Sequence, residues 1–200
     1  MIVNNHVELF TSTVDAERVI EHCGREAYGS ADSKDMEGCR TWIKKRIENG
    51  EEDVLEHASA TFYIVCSRVV SHELVRHRIG SYTQRSMRFS ESATADIIVP
   101  NEIKEEDRTA FAEDMEDAQL TYVYWRDKYP RQTARYALPH ATATSLYATY
   151  NFRTIRHIID MRCALQAQPE MREIAKAIGE ICLEKWPGVF GDKEGVINGN

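Results

Sequence analysis

Between Arg76 and Arg88 the chain reads Arg-His-Arg-Ile-Gly-Ser-Tyr-Thr-Gln-Arg-Ser-Met-Arg, four arginines and a histidine in thirteen residues of a protein whose formal net charge is −7. Guanidinium groups this close repel one another, and their forked donors pair bidentately with phosphate or carboxylate. The stretch contains no acid of its own. Its chemistry is that of a site for a phosphorylated ligand. Two further places carry arginines: Arg131 and Arg135 ahead of Leu138-Pro139, and Asn151 to Arg162 with Arg153, Arg156, His157 and Arg162. Solvated arginines paired with nearby acids are the plainer reading of the last group. At helical spacing Arg153 and His157 share a face, whereas Arg162, nine residues on, falls about 180° round from Arg153. One helix is thus expected to serve two ligands or two surfaces.

Other chemistries find little support. No Gly-x-Gly-x-x-Gly opens a helix and no Gly-x-x-x-x-Gly-Lys-Ser/Thr loop is present. Ser86, between Arg85 and Met87, reads as a hydrogen-bonding serine rather than a nucleophile, because no base is fixed beside it. His57 reads as a core or capping histidine, and His72, His77, His140 and His157 have no metal-ligand spacing, so no metal is expected. The five cysteines, odd in number and without a Cys-x-x-Cys pair, read as reduced and buried. The acidic balance argues against a general nucleic-acid binder. A basic and apolar leader and an apolar run of membrane-spanning length are both missing from the sequence, and a soluble cytoplasmic protein without membrane contact is expected.

The elements that must hold these residues are mostly helical. Helices are expected over Glu17–Tyr28, over Ser33–Asn49 with Met36, Cys39, Ile43 and Ile47 on one face, along Phe111, Met115, Ala118, Tyr122 and Trp125 until Pro130, along Phe152, Ile155 and Ile159, and over Glu170–Trp186. From Ala58 to Val70 the chain begins as a strand and ends ambiguously, its second half being equally suited to start a helix reaching Val75. The arginine-rich segment reads as a loop, and Ile97–Val99 as a short strand. The fold class is α/β (α+β), one helix-rich domain over residues 1–190 with a small, mostly antiparallel sheet. Residues 191–200 read as a polar, mobile tail.

At this point the motifs resemble a known family. Arg76-His77-Arg78, Ser81, Ser86, Arg88 and Phe89 fill every place of the Arg-His-Arg-x-x-Ser-x-x-x-x-Ser-x-Arg-aromatic signature of the flavin-dependent thymidylate synthases. Val54-Leu55-Glu56-His57 is similar to the family's Glu-His pair, Ala134-Arg135 ahead of Leu138-Pro139 to its arginine before Leu-Pro, and Asn151-Phe152-Arg153 with His157 and Arg162 to its late helix. The resemblance implies a homotetramer with shared active sites. It would methylate dUMP to dTMP with methylenetetrahydrofolate as one-carbon donor and FAD, reduced by NADPH, as hydride source. It implies FAD contacts at Asp53, Arg76, His77, Arg78, Gln84, Asn151, Phe152, Arg153 and His157. It implies dUMP contacts at Glu73, Leu74, Val75, Arg76, Gln84, Arg85, Ser86, Met87, Arg88, Arg135 and Arg162, with Arg162 the catalytic residue that favours ionisation at N3 of the uracil. The chain departs from the family at Glu51-Glu52-Asp53, where His-Glu-Ser/Thr is frequent, at Thr83-Gln84, where Asn-Glu is more familiar, and at His157, where an amide is common. An arginine-rich binding module for RNA or a phosphorylated partner, and a relative that has lost turnover, are the competing readings.

Overall fold

The computed structural model describes residues 1–90 and 95–199. In chain order the elements are β1 (His6–Ser12), α1 (Ala16–Glu26), α2 (Met36–Glu48), a 3-10 turn (Glu52–His57), β2 (Ser59–Ser67), α3 (Arg68–Leu74), β3 (Ser81–Gln84), α4 (Arg108–Lys128), α5 (Arg131–Ala134), a 3-10 turn (Arg135–Ala137), β4 (Ala143–Asn151), α6 (Phe152–Arg162), α7 (Pro169–Lys185), α8 (Pro187–Phe190) and α9 (Glu194–Asn198). The four strands form one antiparallel sheet in the order β1-β2-β4-β3.

The central pair β2 and β4 shows why this sequence makes a half-buried sheet. Ala60, Phe62, Ile64 and Cys66 of β2 alternate inward and lie opposite Tyr150, Ala148, Leu146 and Thr144 of β4, as the two-residue repeat of a strand requires. The inward face meets Val70 and Leu74 of α3, Ile155, Ile158 and Ile159 of α6, and Met171, Ile174, Ile178 and Cys182 of α7 in one core. On the other face Tyr63 packs on Tyr147 and Tyr147 on Phe10, with ring centroids 5.2 and 5.0 Å apart, and Phe10 and Tyr147 remain exposed.

Each central strand runs straight into a helix through a polar cap. Ser67 accepts from the Val70 N–H at 3.2 Å to start α3, and Asn151 accepts from the Thr154 N–H at 2.8 Å to start α6, each satisfying a donor the first helical turn leaves open. Because β2 and β4 are antiparallel, with Ser67 opposite Ala143 and Ser59 opposite Asn151, the two helices leave from opposite ends of the sheet. Both return across the same apolar face and converge.

Three expectations are corrected. The arginine-rich segment is not a loop throughout, since Ser81–Gln84 form the edge strand β3 along β4. Tyr82 holds it there, its ring against Tyr150 and its hydroxyl donating to the carbonyls of Leu74 and His77. Ile97–Val99 is not a strand; Ile97 makes isolated bridges to Ile2 and Thr142. The C-terminal segment is not a loose tail. Residues 191–198 form a 3-10 turn and α9, Ile197 is buried, and Asp192 pairs with Arg156, while Asn200 lies outside the described residues. The strand β4, which carries no arginine and no turn signal, is a central element that the sequence pattern left unassigned.

Candidate active-site cleft

Where α3 and α6 converge the surface opens into a cleft of about 1450 Å³. It exceeds the roughly 300–1,000 Å³ of ordinary small-molecule sites. At its centre Arg162, the last residue of α6, donates from Nη1 to Glu73 Oε2 at 2.7 Å and from Nε to His77 Nε2 at 3.1 Å. The first bond fixes the guanidinium as a charge-assisted pair with both side chains largely buried. The second requires His77 Nε2 to be unprotonated. Burial, reinforced by the charges of Arg162 and His157, pushes the His77 imidazole down to about 4, so at neutral pH it is an acceptor with its proton on Nδ1. His157 stands edge-on to it, ring centroids 6.0 Å apart.

Arg76, Arg78, Arg153 and His157 line the cleft with exposed side chains. Their positive edge suits a ligand carrying phosphate. The acids nearby are already engaged. Glu56 accepts from Arg153 Nη1 at 2.7 Å. Glu52 lies 3.2 Å from Arg156 Nη2, and Arg156, only 3% exposed, also forks onto Asp192 at 2.6 and 2.8 Å and donates to the Val189 carbonyl. Glu51 is taken by Tyr28 and Arg46 at 2.6 and 2.8 Å. The acidic triplet therefore does not oppose an anion in the cleft with free charge. Its Asp53 lies on the outside of the turn and does not line the cleft.

The expected site residues divide in two. Glu73, Val75, Arg76, His77, Arg78, Asn151, Arg153, His157 and Arg162 line this one cleft. Arg153 and Arg162 do so together although their spacing puts them on opposite sides of α6, so of the expected two ligands or two surfaces, the two surfaces are corrected. Leu74 and Phe152 are fully buried. Phe152 packs on Trp186 and Phe190, so these two positions have only backbone to offer a ligand. Gln84, Arg85, Ser86, Met87, Arg88 and Arg135 do not line the cleft. Strand β3 carries Arg85 to Arg88 away from Arg78 by its own length, four residues or about 14 Å, and Arg135 stands in the 3-10 turn after α5. Gln84 donates to Thr144 Oγ1, Arg85 and Met87 border a smaller hollow against Thr144 and Ser145, and Arg88 borders another with Arg126 and Arg131. Ser86 is a turn former, accepting at Oγ from the Arg88 N–H and at its carbonyl from Ser90. His57 is exposed rather than in the core. Thr154 and Asp160 also border the cleft; a helical wheel through α6 marks both, but only the packing of α6 shows which face the cleft takes.

The fold and the cleft define an α+β protein with a large cleft rimmed by arginines. The family model described as "Thymidylate synthase complementing protein" matches residues 8–188. A flavin-dependent thymidylate synthase of Corynebacterium efficiens is 35% identical over 91% of this chain and 81% of its own. One of Thermococcus kodakarensis is 37% identical over 78% of this chain and 66% of its own. The crystal structure of a UMP/dUMP methylase PolB from Streptomyces cacaoi bound with 5-Br dUMP shares the fold with a TM-score of 0.82 at 23% identity, covering 94% of this chain and 93% of that one. The chain belongs to the flavin-dependent thymidylate synthase family.

Proposed function

We propose that this chain makes dTMP from dUMP, taking the one-carbon unit from methylenetetrahydrofolate and the reducing hydride from NADPH by way of FAD. The observation that carries the reading is Arg162, fixed by Glu73 and His77 inside an arginine-rimmed cleft. FAD suits this donor set: Arg76, Arg78 and Arg153 supply cations for its pyrophosphate, and His157, Asn151 and the Arg153 backbone supply further polar contacts. When bound, FAD brings the hydride chemistry, and the protein's part is to orient partners and exclude water. Arg162 spends Nε and Nη1 on His77 and Glu73, which leaves the Nη2 edge toward the uracil. A guanidinium held there stabilises negative charge as it develops at N3.

The dUMP phosphate falls to Arg88, Arg135, Gln84 and the turn at Ser86 from a neighbouring protomer, since these residues stand apart from the cleft of their own chain. That division supports a homotetramer with shared active sites. The exposed Phe10 and Tyr147 on the sheet support it too, as does α4, where Tyr122 alone is buried while Leu120, Tyr124 and Trp125 are exposed. The five cysteines are free, four of them buried, and no helix among the described residues is long and apolar enough to cross a membrane; both support a cytoplasmic setting. The test is a visible spectrum of the purified protein followed by dUMP-dependent oxidation of NADPH. A yellow protein that forms dTMP is expected. A colourless protein that cannot be reconstituted with FAD defeats the reading, and a flavoprotein without turnover makes it an impaired relative.

A further inference from the structure

A buried acid that does not line the cleft stands where α7 meets α3. Glu170, the second residue of α7 and only 4% exposed, turns both carboxylate oxygens to one residue. Oε1 accepts from the Ser67 backbone N–H at 2.8 Å and Oε2 from the Ser67 hydroxyl at 2.7 Å. The start of α7 does not need this acid, because Gln168 accepts there from the Met171 N–H at 2.7 Å. Burial raises the Glu170 carboxyl above its ordinary value, and the two Ser67 bonds work against that. A carboxylate is costly to bury unless hydrogen bonds hold it, and here both bonds go to α3.

Ser67 is the N-cap of α3. Its one hydroxyl proton goes to Glu170, which leaves an oxygen lone pair for the Val70 N–H. In a capping box the serine takes the N–H of the third helical residue, and an acid at that third position reaches back to the serine N–H. The third residue of α3 is Val70, which has no acceptor, and Glu170 supplies the acid from 103 positions away. With seven residues, α3 is shorter than the about 12 that an isolated helix needs. Yet it carries Glu73 and leads into His77, whose backbone N–H donates to the Leu74 carbonyl at 3.0 Å. Those two residues fix Arg162. Helix α7 also packs on α6, so one helix is the common reference for both sides of the Arg162 centre.

We propose that Glu170 is a positioning residue for the Arg162 centre: it completes the α3 cap from α7 and so sets where Glu73 and His77 meet the guanidinium. Glu170 does not line the cleft and acts only through α3. The inference rests on the role given to Arg162 above and extends it to a residue outside the cleft.

The test is the imidazole NMR titration of His77 in the full chain, read beside kcat and the KM for dUMP. In Glu170→Gln an amide donates to the Ser67 oxygen where the carboxylate accepted, and Ser67→Ala removes the hydroxyl. Each is expected to raise the His77 pKa by about one unit or more, toward that of a free imidazole. Each should lower kcat about tenfold with the KM for dUMP little changed. Combined, they should do little more than either alone, since both break one network. Ser67→Thr, which keeps the hydroxyl, should recover the native titration. Cys182→Ala, buried about three turns further along α7, should lower Tm and leave the His77 titration native. Where one of the two test variants fails to fold, the other decides. The inference is overturned if folded Glu170→Gln or Ser67→Ala keeps the native His77 titration, or if Cys182→Ala moves it as far. His77 reports without turnover, so a chain that forms no dTMP but shows the His77 response defeats the proposed function and leaves the positioning role standing.

Discussion

The hydrogen bond from Arg162 to His77 exists only while His77 is neutral, and this makes the centre of the cleft sensitive to acid in a calculable way. The imidazole titrates at about 4 in the folded chain against about 6.5 when unfolded. A group whose folded pKa lies below its unfolded one contributes stability that is fully present above the unfolded pKa and is lost as pH falls toward the folded value. The difference, 6.5 minus 4, is about 2.5 units at 1.36 kcal/mol each, or about 3 kcal/mol. Lowering the pH from 7 to 4 should therefore remove about 3 kcal/mol of stability through His77 alone. Equilibrium urea unfolding across that range, at one protomer concentration, measures it. Many carboxylates titrate in the same window, so the comparison is with His77→Gln, which keeps an acceptor for Arg162 and cannot be protonated. The variant should lose about 3 kcal/mol less than the native chain between pH 7 and 4. Parallel pH profiles, or a directly measured His77 pKa near 6.5, would refute the assignment of His77 as a buried neutral acceptor.

Two other outcomes follow from packing. A Cβ added at Gly80 would sit 2.7 Å from the ring of Tyr150, which is fully buried and cannot swing away, so Gly80→Ala should cost about 1–3 kcal/mol and loosen flavin binding by displacing Arg76–Arg78; unchanged urea midpoints and flavin affinity would contradict it. Asp192→Ala should cost about 1–3 kcal/mol by leaving buried Arg156 with Glu52 and the Val189 carbonyl. At about 2–4 °C per kcal/mol for a chain this size, calorimetry should show a lower Tm, and a Tm equal to that of the native chain would mean the C-terminal turn contributes nothing.

How much of this was legible depended on whether the signal was local. The Arg-His-Arg signature and the helix α6 are each written within about fifteen residues, because alternation and charge density act over that range, whereas the strand-to-helix boundary after Ala58 stayed open until the Ser67 cap fixed it. The edge strand β3 was not legible: Ser81–Gln84 is too short to announce itself among arginines, and it is a strand because β4 offers it a partner and Tyr150 a ring to pack on. The C-terminal turn failed for the same reason. Its glycines and acids look like a loose end until Arg156, buried 36 positions earlier, is seen to need Asp192.

The sequence by itself determined that this chain carries an arginine-rich segment on a mostly helical protein with a small antiparallel sheet, since those properties follow from residue types and their near neighbours. The tertiary structure alone decided how the arginines are shared out. Antiparallel pairing of β2 and β4 sends α3 and α6 from opposite ends of the sheet back over one face, which is what brings Glu73 and His77 to Arg162 across 89 and 85 positions. The same sheet places β3 between Arg78 and Arg85, so a segment continuous in sequence supplies two separate surfaces. Contact over such separations is set by strand register and core packing, and neither is encoded in any local run of residues.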